Sequence, residues 1–117
     1  MQSLKPKVLE MKALLERGWC QGASARDGDG LIVSILDERA VQYCLVGAMD
    51  KVCESNITSP EVTTLHDLIF ESIEDPNPNE YEHIPDYNDR PNRTKEEVLA
   101  LLDKVVEVID KGESVLR

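Results

Sequence analysis

The chain has 117 residues, of which 13 are basic and 23 acidic, so its net charge is −10 at neutral pH. Apolar residues make up 41% and charged residues 31%, which is typical of a globular protein and too apolar for a disordered one. This length suits one domain, so residues 1–117 are predicted to form a single globular unit. Direct binding to nucleic acid is disfavoured, because no basic stripe is present to replace phosphate counterions.

The apolar runs and the cysteines favour a cytoplasmic protein. The longest apolar run, residues 31–36, includes a serine and is far shorter than the roughly 20 residues that span a membrane. The first residues lack the apolar stretch and small-residue cleavage site of a signal peptide. Three cysteines at irregular spacing indicate no disulfide framework and favour a reducing compartment.

The first predicted element is a helix over residues 4–17, whose apolar residues recur at helical spacing and whose stop is Gly18. The Asp27-Gly28 pair that follows is a strong turn signal. Its flanks predict two short strands of a β-hairpin. Because an isolated hairpin is marginal in water, we expect it to pack on the helices.

A second helix is predicted from Asp37, a good N-cap residue, to Glu54. Gly47 costs about 1 kcal/mol relative to alanine inside a helix. It lies in a strip of small residues with Ala40, Cys44 and Ala48. We therefore expect another backbone segment, either the hairpin or the last helix, to approach closely at this strip.

Two further helices complete the prediction. The third opens with Ser59-Pro60-Glu61, which supplies an N-cap, a proline at the first helical position and an acid in the first turn. The fourth opens with Thr94 and Glu97 as a capping box and ends before Gly112. The predicted fold is mainly α (α+β), a compact four-helix domain with a small β-hairpin between helices 1 and 2.

A long loop over residues 74–93 separates the last two helices and contains four of the six prolines. The wider region 61–89 contains nine acidic residues and no lysine or arginine. Such a run is usually a solvated surface, but it also suits docking of a basic protein by electrostatic steering. The candidate partner-binding residues are Glu71, Glu74, Asp75, Glu80, Glu82 and Asp86.

Cys44, with His66 as its base, is a weak candidate for cysteine-dependent catalysis. Cys44 falls within the apolar stripe of the predicted second helix, about two turns beyond its start, where the helix dipole has faded. A buried structural thiol is therefore favoured. The cysteines and histidines lack zinc-site spacing, and the loop after Asp27 places apolar residues where calcium needs oxygen ligands. No metal and no cofactor is predicted.

The polar segment 87–94 leads into the fourth helix. Its Asn and Asp side chains readily form turns and caps, and Arg93 can pair with Asp89 across such a turn. Two interpretations stay open. One is a polar latch that fixes the long loop to the helix start. The other is a small ligand-binding pocket with an apolar wall. The candidate ligand-binding residues are Trp19, Gln21, Asn88, Asp89 and Arg93.

Three stretches give the chain a resemblance to a family of small uncharacterised bacterial and phage proteins, domain of unknown function family 6197. In that family a glycine often precedes the Arg-Thr pair, where this chain has Asn92. The resemblance implies a compact, mainly helical domain and no activity. The three stretches are Gly18-Trp19-Cys20-Gln21-Gly22 with Asp27 and Gly30, Ala40 to Ala48, and Tyr87-Asn88-Asp89 followed by residues 93–99.

The function favoured by these patterns is that of a small acidic cytoplasmic binding or regulatory protein without catalysis. Its expected partner is a basic protein surface, with neither nucleic acid nor membrane involved. A phage-encoded protein that interacts with a host protein fits this size and charge. The alternative is a small-ligand-binding protein or a cysteine-dependent enzyme with a polar pocket around Trp19, Gln21, Cys44, Asn88 and Asp89.

Overall fold

The computed structural model describes residues 4–53, 60–73 and 84–115. Within these ranges the chain is mainly helical with one small antiparallel sheet, as the sequence predicts, although it has five helices where four were expected. In chain order the elements are α1 (Lys5–Arg17), β1 (Ala25–Arg26), β2 (Gln42–Tyr43), α2 (Leu45–Val52), α3 (Pro60–Glu71), α4 (Ile84–Asn88) and α5 (Lys95–Val115).

Helix α1 packs against both α2 and α5, and α3 packs against α5. The interface of α1 consists of residues at helical spacing, Val8, Met11 and Leu15, which are all fully buried. They meet the equally buried Val105 and Ile109 of α5 within one aliphatic cluster. Each fully buried side chain of this kind contributes on the order of 1.5–3 kcal/mol. None of the helices in the described ranges is long and apolar enough to cross a bilayer.

The second helix begins at Leu45, with Cys44 as its N-cap, and not at Asp37 as predicted. Asp37 instead organises a turn, in which its Oδ1 accepts from Arg39 N at 2.8 Å and its carbonyl accepts from Ala40 N at 3.0 Å. The prediction was wrong because an N-cap and an Asx turn use the same local hydrogen bond from an aspartate side chain.

The small sheet also differs from the predicted hairpin. Strand β1 pairs antiparallel with β2, so that Ala25 faces Tyr43 and Arg26 faces Gln42. The segment directly after the Asp27 turn contributes only a single bridge, between Arg26 and Ile32. β1 is therefore the central strand, with the segment around Ile32 on one side and β2 on the other.

The C-terminal half contains two corrections, one within the predicted loop and one at the end of the last helix. The loop over residues 74–93 contains α4, and α5 continues past Gly112 to Val115. The capping box of α5 is confirmed, since Thr94 N donates to Glu97 Oε1 at 2.9 Å and Glu97 N donates to Thr94 Oγ1 at 3.1 Å. The predicted N-cap Ser59 and residues 74–83 lie outside the described residues.

Gly47 permits the close backbone approach that the sequence predicts. A Cβ at this position would clash with the carbonyl oxygen of Ser24, the residue before β1. The same backbone segment is joined to the start of α2 by the hydrogen bond from Cys44 N to Ser24 O, at 3.2 Å. The neighbour of Gly47 is therefore the chain that leads into the sheet; Ala40, which the predicted strip included, lies before α2.

We predict that Gly47→Ala lowers the free energy of unfolding by about 1–3 kcal/mol, although alanine is the better helix former, because the added methyl group must displace backbone. Gly28→Ala is the matched control, since no heavy atom lies within 4 Å of a Cβ there. Urea denaturation measures both. Equal stability of the two variants would contradict the close approach.

Candidate functional site

The centre of the polar network is the side-chain amide of Asn88, the last residue of α4, which is fully buried. Its Oδ1 accepts from Trp19 Nε1 at 2.8 Å and from Leu45 N at 3.1 Å. Its Nδ2 donates to Cys20 O at 3.1 Å and to Asp89 Oδ1 at 2.8 Å. An amide group has two donor hydrogens and two acceptor positions, so this side chain is fully satisfied.

The network joins the segment after α1 to the end of α4. Gln21 Nε2 donates to two carbonyl oxygens there, Asn88 O at 3.0 Å and Arg90 O at 3.1 Å. Gly22 N donates to Asp89 Oδ1 at 3.0 Å. The last carbonyls of a helix lack partners within the helix, and Gln21 provides a partner for the carbonyl of Asn88. In the same way, Asn88 provides the acceptor that Leu45 N needs in the first turn of α2.

Arg93 contacts the other side of α4. Its Nε donates to Tyr87 O at 2.9 Å, and its guanidinium carbon lies 3.8 Å from the centroid of the Tyr87 ring. Its Nη1 lies 3.3 Å from Glu97 Oε2. The expected pair between Arg93 and Asp89 does not form, because Asp89 accepts from Gly22 and Asn88 instead.

Asn92 has a backbone φ of 69°, in the left-handed region that glycine adopts readily. Asparagine is one of the few other residues that tolerate this region. The resemblance seen in the sequence leads us to expect a glycine at this position. The turn before α5 therefore needs a left-handed residue at this position, and asparagine satisfies that need.

Four of the five predicted ligand-binding residues, Trp19, Gln21, Asn88 and Asp89, thus come together in one network, with Arg93 beside it. Their polar atoms bind one another and the backbone, and among the described residues no buried side-chain polar atom lacks a partner. A ligand site would instead aim polar groups into an open volume. These contacts support the latch interpretation over the pocket.

Two surface cavities of about 280 Å³ each lie along α1 and share Leu14 and Arg17. One also adjoins Lys51 of α2, and the other adjoins Val41 before β2. Neither cavity is lined by the predicted ligand-binding residues. Across the described ranges, no three His, Cys, Asp or Glu side chains converge as metal ligands.

Cys44 and His66 are not brought together as a catalytic pair. Cys44 Sγ accepts from Gly47 N at 3.2 Å within the first turn of α2. His66, on α3, has its Nδ1 3.4 Å from Asp67 Oδ1 and its ring stacked on Phe70. Burial raises the pKa of the Cys44 thiol in spite of the helix N-terminus, so the thiol is a poor nucleophile at neutral pH.

Of the six acidic residues predicted to bind a partner, two are described and both are exposed, Glu71 at the end of α3 and Asp86 in α4. The other four, Glu74, Asp75, Glu80 and Glu82, lie outside the described residues.

The sequence interpretation missed an apolar surface between β1 and β2. In the described part of the chain, five large hydrophobic residues are exposed, and four of them lie in this connection. The apolar run that contains three of them is visible in the sequence, but such a run next to an Asp-Gly turn is typical of a buried strand. The four residues and their exposed fractions are Leu31 64%, Ile32 68%, Leu36 62% and Val41 49%.

We predict that Asn88→Ala lowers the free energy of unfolding by about 2–4 kcal/mol, because it leaves several buried polar groups without partners. Asn92→Gly is the matched control, since it also removes an amide but from an exposed position with a positive φ. It should leave stability nearly unchanged. Urea denaturation compares the two, and wild-type stability in Asn88→Ala would contradict the latch.

Stability should also fall at alkaline pH because of Cys20, whose pKa is raised from 9.0 to about 11, chiefly by burial and then by the nearby Cys44 thiolate. The unfolded chain releases this proton near pH 9 and the folded chain only near pH 11, so deprotonation favours unfolding over that interval. We predict that the Cys20→Ala variant loses less stability than wild type between pH 9 and pH 11. Urea midpoints measured across the interval test it, and parallel curves would show that Cys20 is not responsible.

The comparisons with known proteins agree with the resemblance seen in the sequence. A family model described as "Family of unknown function (DUF6197)" matches residues 8–108. Neither the curated proteins nor the solved structures contain a match to the chain. The matched range begins within α1, ends within α5 and includes every residue of the Asn88 network. The chain therefore belongs to DUF6197, a family of unknown function.

Proposed function

We propose that this protein is a non-catalytic binding protein that recognises a basic protein through an apolar contact bordered by acidic residues. The observation that carries the proposal is the exposure of Leu31, Ile32 and Leu36, each more than 60% accessible to solvent. We name these three residues the apolar segment. Catalysis is disfavoured because the polar network is occupied by intramolecular bonds and the Cys44 thiol is buried.

The apolar segment lies on an ordered part of the chain. Asp27 Oδ1 accepts from Asp29 N and from Leu31 N, both at 2.9 Å. Arg26 Nη1 donates to Gly30 O at 2.8 Å. These bonds hold the turn that precedes the apolar segment, so its side chains are exposed without disorder of the backbone. Large apolar side chains exposed on an ordered surface are typical of protein interaction sites.

The charge of the same connection supports a basic partner. Residues 27–41 contain four acids and one arginine, a local net charge of −3. The arginine, Arg39, is already paired with Asp37 at 2.9 Å. Asp29 and Glu38 are exposed and flank the apolar segment in the sequence, and Glu71 and Asp86 add negative charge elsewhere on the surface. Such a field attracts a basic protein and accelerates its association.

The contact is tested by affinity capture from a lysate of the source cells, quantified by mass spectrometry. The amount of a basic protein that is captured should fall about tenfold or more in a variant with Leu31→Ser, Ile32→Ser and Leu36→Ser, because the apolar side chains that binding would bury are removed. Leu9→Ser is the matched control, since Leu9 is also exposed, at 47%, but lies on α1. Equal capture by the triple variant, or equal loss in Leu9→Ser, would rule out this contact.

The acidic contribution is tested in the same captures. Glu71→Lys combined with Asp86→Lys should weaken capture at low salt and have less effect at high salt, where exposed charges are screened. Glu10→Lys combined with Glu96→Lys is the control, since it makes the same change of charge at two exposed residues, on α1 and α5. Capture that is insensitive to salt and to these reversals would exclude the acidic surface from binding.

A further inference from the structure

The backbone of Ile32 points its hydrogen-bonding groups away from the sheet. Ile32 forms an antiparallel bridge with Arg26. The two bonds of that bridge are Asp27 N to Leu31 O at 2.9 Å and Val33 N to Ala25 O at 3.1 Å. A residue that lies between two such bonds directs its own N–H and C=O to the opposite side. In the part of the chain that the structure describes, neither group of Ile32 has a partner.

The other edge of the sheet is covered. Tyr43 of β2 forms a parallel bridge with Trp19. It is made by Tyr43 N to Gly18 O at 3.0 Å and Cys20 N to Tyr43 O at 3.1 Å. The segment 31–34 is therefore the open edge. Natural sheets usually protect an edge with lysine, proline or inward-pointing charge. This edge reads Leu-Ile-Val-Ser, and both of its large apolar side chains at the start, Leu31 and Ile32, are exposed.

We propose that the partner binds by adding an extended basic segment as a β-strand along residues 31–34. This inference rests on the proposed function and names its mode of recognition. The backbone of the added strand bonds to Ile32 N–H and C=O, while its apolar side chains, which all lie on one face of the strand, contact Ile32. Its lysine or arginine residues lie near the exposed carboxylates of Asp29 and Glu38.

A partner of opposite charge fits this edge better than a second copy of the chain. Each copy has a net charge of −10, and pairing two copies along the edge would bring their acidic connections together. Charges of like sign across a small contact weaken it, whereas a basic strand is attracted to the same carboxylates. The occupant is therefore assigned to a segment with positive charge.

Ile32→Pro isolates the backbone contribution, because it removes an N–H that has no partner within the described chain and keeps an apolar side chain. Proline is tolerated at the edge of a sheet. The probe is a fluorescent hexapeptide that alternates lysine and valine, with both termini blocked. We expect Ile32→Pro to unfold at the same urea midpoint as wild type and to weaken binding by about tenfold or more, whereas Ile32→Val binds nearly as well as wild type.

Glu38→Pro is the matched proline control in the same connection. Glu38 is the second residue of the turn closed by Ala40 N to Asp37 O at 3.0 Å, a position that favours proline. Comparison with Glu38→Ala separates the effect of the ring from the loss of the carboxylate. The two Glu38 variants should bind the peptide equally. If Glu38→Pro binds more weakly than Glu38→Ala by as large a factor as separates Ile32→Pro from wild type, rigidity of the connection explains the loss and strand addition is wrong.

Hydrogen exchange of single amides gives a second readout. The lysine–valine peptide should slow exchange at Ile32 N–H, which is open to solvent in the free protein, and a glutamate–valine peptide should not. Unchanged exchange together with undiminished binding to Ile32→Pro would overturn strand addition while leaving the apolar contact intact. Binding that survives the triple serine variant would overturn the proposed function itself.

Light scattering of the free protein tests whether a second copy of the chain, and not a basic segment, occupies the edge. A monomer that stays a monomer in Ile32→Pro agrees with a basic partner segment. A dimer that Ile32→Pro converts to a monomer would show that a second copy occupies the edge, and the assignment to a basic segment would be wrong.

Discussion

The fold depends on the burial of one primary amide. Moving the Asn88 side chain out of water is unfavourable by several kcal/mol unless its hydrogen bonds are replaced. All four are replaced, but only if α4, the first turn of α2 and the segment after α1 are in place together. Because α4 has only five residues, it has little stability of its own. The amide therefore couples three pieces of chain that are far apart in sequence.

Features that the sequence predicts correctly are those decided locally. The capping box of Thr94 and Glu97 and the apolar stripe of α1 each depend on residues within one or two turns. The start of α2 depends instead on pairing of Tyr43 with chain that precedes β1, so a local signal at Asp37 was misleading. Trp19, Gln21 and Asn88 were grouped correctly from their polar and aromatic character. What they bind, however, is set by long-range contacts that no spacing reveals.

Cys44 shows why position along a helix is not sufficient to judge a thiol. The predicted objection to catalysis was that Cys44 lies in mid-helix, and that was wrong, because Cys44 is the N-cap of α2. A helix terminus stabilises the thiolate by about 0.3–1 kcal/mol. Burial is the larger influence on the Cys44 pKa and acts in the opposite direction. The thiol therefore serves as an acceptor for Gly47 N, and the conclusion that it is structural now depends on burial.

The interior and the sheet edge of this protein contrast in how their polar groups are used. In the described residues every buried side-chain polar atom has a partner, whereas the backbone N–H and C=O of Ile32 have none and the side chains of Leu31 and Ile32 are exposed. Folding does not require that arrangement, because Ile32 lies outside the aliphatic core that holds the helices together. An apolar side chain at an open edge increases the risk of aggregation, and a charged one would reduce it. An ordered, apolar edge of this kind therefore supports the proposed recognition of a partner.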